Sequence, residues 1–443
     1  MNNKSLIASA LAAVGLVTHA SAVTTNVVYV TGSTAFRGNV FNVLSVAGNG
    51  VFDASPAVTI QPSGAGSGSG TIVYQGNIGG QPYSIDCSWT GSEAGIAATD
   101  GLSSLANADT GFNLPGVPTV FPDPNTGAAG TSSTVPDLTF ADTSQAVSLT
   151  KPPTYTALKD YGTVGIVTFT WLKGNCSPGN RDSSWNDITN ISQPQILYQL
   201  PGPQAASFFT GNSNDTDTVI TIGRNVGSGT HVNMMADAEY IGTGTLIDQW
   251  AWNSFYSSAN VLTYTTNAPF FPVINPGNTG DHGLVDVGHD GYDSGAFVSD
   301  VLSCDSSSAS TAVVTLGYTG ISDAKHARDG QNTKDGSALT NQPPGAVFLT
   351  LDGVSFSDGA VIEGAYSFWG HEHLYGKPGQ SGTSAAGIVA GLLAGTTGAN
   401  GAINVHGGLG DGTAPSAQDT GIKVGAMKAD KPSHGDLGYP SQN

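Results

Sequence analysis

Positive charge is scarce in this chain of 443 residues: 14 Lys and Arg stand against 33 Asp and Glu, a formal balance of −19. A nucleic-acid binder needs basic surface to displace counterions, so that class is excluded. A basic amphipathic helix lying on a membrane is excluded on the same ground. Charged residues of either sign make up only 11%, against about 25% in ordinary soluble proteins. Cysteine occurs three times, at Cys87, Cys176 and Cys304. That allows one disulfide and one odd thiol at most, with inert buried thiols the equal alternative. No Cys-x-x-Cys is present, which disfavours zinc and thiol redox chemistry. No Gly-Lys-Ser/Thr loop is present, so a nucleotide-phosphate loop has no support.

Long apolar runs are missing beyond the first 22 residues. Lys4, the apolar stretch from Leu6 to Val17, and Ala20-Ser21-Ala22 together fit an export leader with a small-x-small cleavage site. Residues 1–22 are therefore expected to be removed, leaving a periplasmic or secreted chain from Val23. No Cys follows the apolar run, so no lipid anchor is expected. Ala385 to Ala394 is too short to span a bilayer.

What is abundant is glycine, 61 residues, alongside 39% hydrophobic and 8% aromatic residues. The length and apolar content suffice for two or three domains with a real core. The shortage of strong helix formers predicts short strands, short helices and long loops. A recurring unit runs through the chain: an apolar run, a Gly/Ser/Thr turn, then a helix-like stretch. Val27-Val28-Tyr29-Val30 leads into Thr31-Gly32-Ser33-Thr34, after which Phe36, Val40, Phe41 and Leu44 recur at helical spacing. Tyr83 to Trp89 leads into Thr90 to Gly95, with a helix from Ile96. Thr218 to Ile222 leads into Gly223 to Thr230, then His231 to Tyr240. Asp137 to Phe140 reads as a strand ending at Ala141-Asp142-Thr143. Strands alternating with helices predict an α/β fold with a mainly parallel sheet. Ser63 to Thr71 reads as a hairpin tip or flexible loop, and Pro115 to Pro136 and Asn275 to Ser294 as long excursions. The tail after Gly395 lacks periodicity and is expected to be poorly ordered.

In open α/β sheets, ligands sit where strand ends enter helices, because free N–H groups and the positive dipole end gather there. Three loops here have that form: Gly32-Ser33-Thr34, Gly91-Ser92 and Gly227-Ser228-Gly229-Thr230. Arg224 precedes the third with a guanidinium fork suited to an oxyanion. Each loop alone is no more than a helix cap; together they describe a site for a small tetrahedral anion.

The wording and order of these segments resemble the periplasmic phosphate-binding proteins of ABC transporters. The residues that carry the likeness are Thr31-Gly32-Ser33-Thr34-Ala35-Phe36, Gly91-Ser92-Glu93-Ala94-Gly95-Ile96, Ala141-Asp142 and Arg224-Asn225-Val226-Gly227-Ser228-Gly229-Thr230. Leu316 to Gly320 and Val361 to Trp369 follow in the same order. The resemblance implies a two-lobed fold with two crossovers: residues 23–165 plus 318–395 as lobe one, 166–317 as lobe two, and 396–443 as a tail. It implies a ligand set of Ser33, Thr34, Ala35, Ser92, Asp142, Arg224, Ser228, Gly229 and Thr230, with no catalysis, cofactor or metal. Inorganic phosphate or a similar oxyanion would be the ligand, a permease the partner, and the chain a monomer. The sequence departs from the family pattern at Val226, where an Asp is usual, and at Glu93, which brings a negative charge into a loop expected to face the anion.

Two rival readings follow from other segments. A surface or matrix protein of the same fold without transport would share the low charge and long insertions. A subtilisin-like protease is suggested by Gly382-Thr383-Ser384-Ala385-Ala386, Gly229-Thr230-His231-Val232 and Asp109-Thr110-Gly111. The residue where its general base should stand is Ser228, which disfavours it. His371-Glu372-His373 is expected to be a polar turn rather than a metal site, and Asp281, Asp286, Asp290 and Asp293 a solvated acidic loop.

Overall fold

The computed structural model describes residues 25–105, 117–176, 178–199, 202–225, 227–238, 250–252, 284–286, 292, 294–303, 313–329, 345–396, 398–411, 421–431 and 440–442. The expected leader, Val226, Cys304, Asp109, Asp281, Asp290, Asp293 and most of the Asn275–Ser294 excursion lie outside the described residues. Strands, in chain order, are β1 (Asn26–Gly32), β2 (Thr59–Gln61), β3 (Thr71–Ile78), β4 (Gln81–Ser88), β5 (Leu138–Ala141), β6 (Lys159–Lys173), β7 (Asn190–Ile191), β8 (Gln204–Ala205), β9 (Thr218–Ile222), β10 (Trp250–Trp252), β11 (Leu284–Asp286), β12 (Val313–Gly320), β13 (Val347–Phe348), β14 (Thr350–Leu351), β15 (Trp369–Gly376), β16 (Ala429–Asp430) and β17 (Ser441–Gln442). Helices are α1 (Arg37–Leu44), α2 (Ser92–Thr99), α3 (Ser183–Asp187), α4 (Gln193–Gln199), α5 (Ser207–Thr210), α6 (Gly229–Asp237), α7 (Gly295–Ser303), α8 (Ile321–Asp329), α9 (Asp358–Ile362), α10 (Ala385–Ala394) and α11 (Ala402–His406).

The long strand β6 joins the two halves of one thirteen-stranded α/β sheet flanked by helices. Its first part pairs with β15, from Gly376↔Lys159 to Trp369↔Thr168. Its last part pairs with β12, from Gly320↔Phe169 to Leu316↔Lys173. One sub-sheet therefore runs β6-β15-β5-β1-β4-β3-β2, the other β11-β10-β9-β12-β6. The parallel expectation holds only at the centre of each. β1 is parallel to β4 and β5, and β9 to β10 and β12. The β2-β3-β4 edge and all pairings of β6 and β15 are antiparallel. Short connections fold β2, β3 and β4 directly onto one another, whereas β6 meets β12 and β15 across long stretches of intervening chain.

The expected boundary at 165/166 falls just before the partner change at Thr168/Phe169. The expected return at 318 falls inside β12, and α8 and β13 stay with the second sub-sheet, β13 pairing with Lys173 and Leu172. The chain re-enters the first sub-sheet at Trp369.

Two further expectations are corrected. His371-Glu372-His373 is a central stretch of β15, with Trp369, His371, His373 and Tyr375 aligned along one face by successive ring contacts. Alternating polar residues conceal a buried strand when the polar side chains themselves are buried. The described part of the tail is packed: Ala402, Ile403, Leu409 and Ile422 enter the main core, and Ile422 bridges Ile166 of β6. Ser63 to Thr71 links β2 to β3, as a hairpin connection should. Cys87 is a buried, unbridged thiol whose pKa burial raises.

Candidate functional site

Three loops from different strands are stitched together by backbone hydrogen bonds. The Gly91 N–H donates to Gly32 O at 2.9 Å, and the Glu93 N–H to Gly227 O at 3.0 Å. Gly91 has φ +98°, and a Cβ there would lie 2.5 Å from Gly227 O. Glycine is required for this close approach of the β4–α2 loop to the loop that opens α6.

Asp142, the residue after β5, sits at the centre of the cluster and is 2% exposed. Its Oδ1 accepts a hydrogen bond from the Ser92 hydroxyl, and its own N–H donates to Ser92 Oγ at 3.2 Å. A Cβ on Gly229 would fall 1.5 Å from Asp142 Oδ1, so the carboxylate rests against the backbone that opens α6. Asn233, one turn into α6, donates from Nδ2 to Asp142 O at 2.7 Å and Gly229 O at 3.0 Å. Burial pushes the Asp142 pKa up, opposed by the Ser92 hydroxyl and by the positive charge of Arg224.

Arg224 lies two residues beyond β9 and is 1% exposed. Its Nη2 donates to Thr34 Oγ1 at 3.2 Å and its Nη1 to Thr230 Oγ1 at 3.4 Å. Nε donates to Tyr292 O at 3.1 Å. The backbone is fixed as well: Arg224 O meets His231 Nδ1 at 2.8 Å, and the Arg224 N–H donates to the Tyr318 hydroxyl at 3.3 Å. The guanidinium thus bridges the α1 entry of the first sub-sheet and the α6 entry of the second.

Of the residues expected at the site, the structure brings together Thr34, Ser92, Asp142, Arg224, Gly229 and Thr230. Ser228 occupies the N-cap of α6, buried, without a side-chain capping bond. Ser33 is buried, its N–H donating to Phe140 O at 2.8 Å. Ala35 is half-buried and packs on the core beside it.

The Glu93 carboxyl turns away from the Gly32–Thr34 and Gly227–Thr230 loops. It is fully buried and turns to the segment after β5, accepting from the Thr143 hydroxyl at 2.7 Å and the Leu149 N–H at 2.8 Å. Burial raises its pKa to about 7. Sequence order alone could not show this, because its partners lie about fifty positions away.

Sequence reasoning missed Glu372 and Asn233. Glu372 is fully buried on β15; burial and the Asp142 charge push its pKa well up, the nearby Ser33 hydroxyl opposing. Its only signal was the His-Glu-His run. Among the described residues no group of three or more His, Cys, Asp or Glu could hold a metal ion. Ser384 caps α10, accepting from the Gly387 N–H at 3.1 Å and donating to Ser381 O at 2.7 Å.

Chemically, the cluster offers hydroxyls, the N–H groups at the start of the nine-residue α6 and one buried guanidinium, with the Asp142 carboxyl among them and the Glu372 carboxyl close to Asp142 and Ser33. That donor-rich set suits a small oxyanion that carries a proton.

No family model and no curated protein matches the chain. Solved structures that it is similar to include a Clostridium perfringens protein described as a phosphate ABC transporter substrate-binding protein, with bound phosphate. That likeness has 12% identity, a TM-score of 0.41, and covers 82% of this chain and 91% of that one. An ABC-type phosphate transport receptor from Vibrio cholerae has 10% identity and a TM-score of 0.37, covering 82% and 92%. A phosphate-binding protein from Stenotrophomonas maltophilia has 12% identity and a TM-score of 0.36, covering 80% and 79%. In this distant way the chain resembles the phosphate-binding proteins of ABC transporters.

Proposed function

We propose that this is an exported solute-binding protein that captures a small tetrahedral oxyanion, phosphate first, between its two lobes. It would act as a monomer and deliver the anion to an ABC permease without chemistry. The observation that carries the reading is Arg224: a buried guanidinium linking Thr34 to Thr230 across the meeting of the two sub-sheets, beside the acceptor Asp142. An anion placed there is held from both sides, so binding would favour the closed arrangement of lobes hinged at Thr168/Phe169 and at Trp369. Among the described residues no helix is long and apolar enough to cross a membrane.

Thermal denaturation tests this directly. A ligand that binds only the folded chain stabilises it by about 2.7 kcal/mol at a hundredfold excess over Kd. Millimolar phosphate should raise the melting temperature, while chloride at equal ionic strength should not. No shift with phosphate contradicts the reading.

A further inference from the structure

A cavity of about 100 Å³ opens beside the Thr34 loop, between the entries of α1 and α8 and floored by Val167 and Thr168 of β6. It has room for several water-sized groups. Thr34 belongs to both places: it lines the cavity, and its Oγ1 takes the Arg224 hydrogen bond. The cavity is therefore a side extension of the oxyanion site. Its walls carry Arg37 and His326. The Arg37 guanidinium makes no hydrogen bond, ion pair or ring contact with any described residue. The buried Nδ1 of His326 has no hydrogen-bond partner among them either. A buried nitrogen such as His326 Nδ1 is normally satisfied by protein, water or ligand, while half-buried Arg37 faces solvent or whatever fills the cavity. Gly320 and Ile321, at the positive end of α8, complete the wall, and Asp323 supplies one acceptor.

We propose that the physiological ligand is a small phosphorylated carboxylic acid: its phosphoryl group on Arg224 and its carboxylate in this side cavity on Arg37. This rests on the oxyanion reading above and specifies the ligand class. A carboxylate matches the Arg37 fork. Asp323 accepts a ligand hydroxyl and disfavours a second fully charged phosphoryl group in the same small space.

Calorimetric titration with four probes decides it: inorganic phosphate, glycerol 3-phosphate, 2-phosphoglycolate and 3-phosphoglycerate. Wild type should bind the two carboxylates about tenfold or more tighter than glycerol 3-phosphate. Arg37→Gln should remove that difference and leave inorganic phosphate unchanged, which also reports an intact fold. Equal affinity for 2-phosphoglycolate and glycerol 3-phosphate on wild type overturns the proposal. So does phosphate binding with exclusion of every organic phosphate, or an Arg37→Gln loss equal across all four probes. Failure of inorganic phosphate itself to bind overturns the oxyanion reading, and this proposal with it.

Discussion

At the proposed oxyanion site, selectivity would turn on Asp142. A buried acceptor facing an anion repels it unless the anion brings a proton, which phosphate does near neutral pH and sulfate does not. Leaving such an acceptor unsatisfied discriminates by roughly 10⁴-fold in favourable cases. The Ser92 hydroxyl already donates to Oδ1, and Arg224 lies close enough to oppose the rise in pKa. Asp142→Asn should therefore raise sulfate affinity relative to phosphate, measured by competition calorimetry; an unchanged ratio assigns Asp142 to the α6 entry alone. Glu93 plays a separate part. Its folded pKa of about 7 lies above the ordinary 4.5, so the fold holds its proton to higher pH than the unfolded chain does. The stability it contributes is complete below pH 4.5 and lost as pH climbs through 7. Glu93→Gln keeps a neutral side chain and should flatten the fall in unfolding free energy between those limits, read from urea titrations, by up to roughly 3 kcal/mol. An identical pH profile for the variant contradicts that assignment.

At the scale of elements, the entry to α6 tolerates little change. Gly229→Ala would place a methyl group 1.5 Å from Asp142 Oδ1, so the carboxylate must leave its place against the helix. Oxyanion affinity should fall at least about tenfold, while a cost in melting temperature with affinity intact would show that the carboxylate is not needed there. The β1 and β9 units were legible in sequence because buried parallel strands are continuous β-branched runs, and the glycines that follow mark the turns. The donors Thr34, Ser92, Arg224 and Thr230 follow from those turns. β15 was not legible, since His371, Glu372 and His373 read as polar surface until neighbours on both sides bury them. Nor was the partner set of Glu93, which depends on the segment after β5. The antiparallel pairing of β6 with both β15 and β12 is a long-range property with no local pattern.

For the whole molecule, the tail is structural. Lys431 is 1% exposed, its Nζ donating to Trp369 O at 2.7 Å and lying 4.7 Å from the Trp369 ring centroid. Burial lowers its pKa to about 8, the Asp237 charge opposing. Trp369 begins β15 and Asp237 ends α6, so this one residue is hydrogen-bonded to the return strand and sits within the electrostatic reach of the other sub-sheet's helix. Removing residues from 402 onward also strips Ile403, Leu409 and Ile422 from the core. At roughly 1.5–3 kcal/mol for each large apolar side chain, the truncated chain should unfold at markedly lower urea concentration; an unchanged midpoint would make the tail dispensable.

In the proposed function Arg224 is the charge that would hold an oxyanion where the two sub-sheets meet. Truncating one member of a buried charge pair typically costs about 2–5 kcal/mol, roughly 30- to 5,000-fold in affinity. Isothermal titration of inorganic phosphate into wild type should show saturable one-to-one binding, and into Arg224→Ala, with its circular dichroism unchanged, a loss of that size. Equal phosphate affinity in the two proteins, or no saturable heat with wild type, would contradict it.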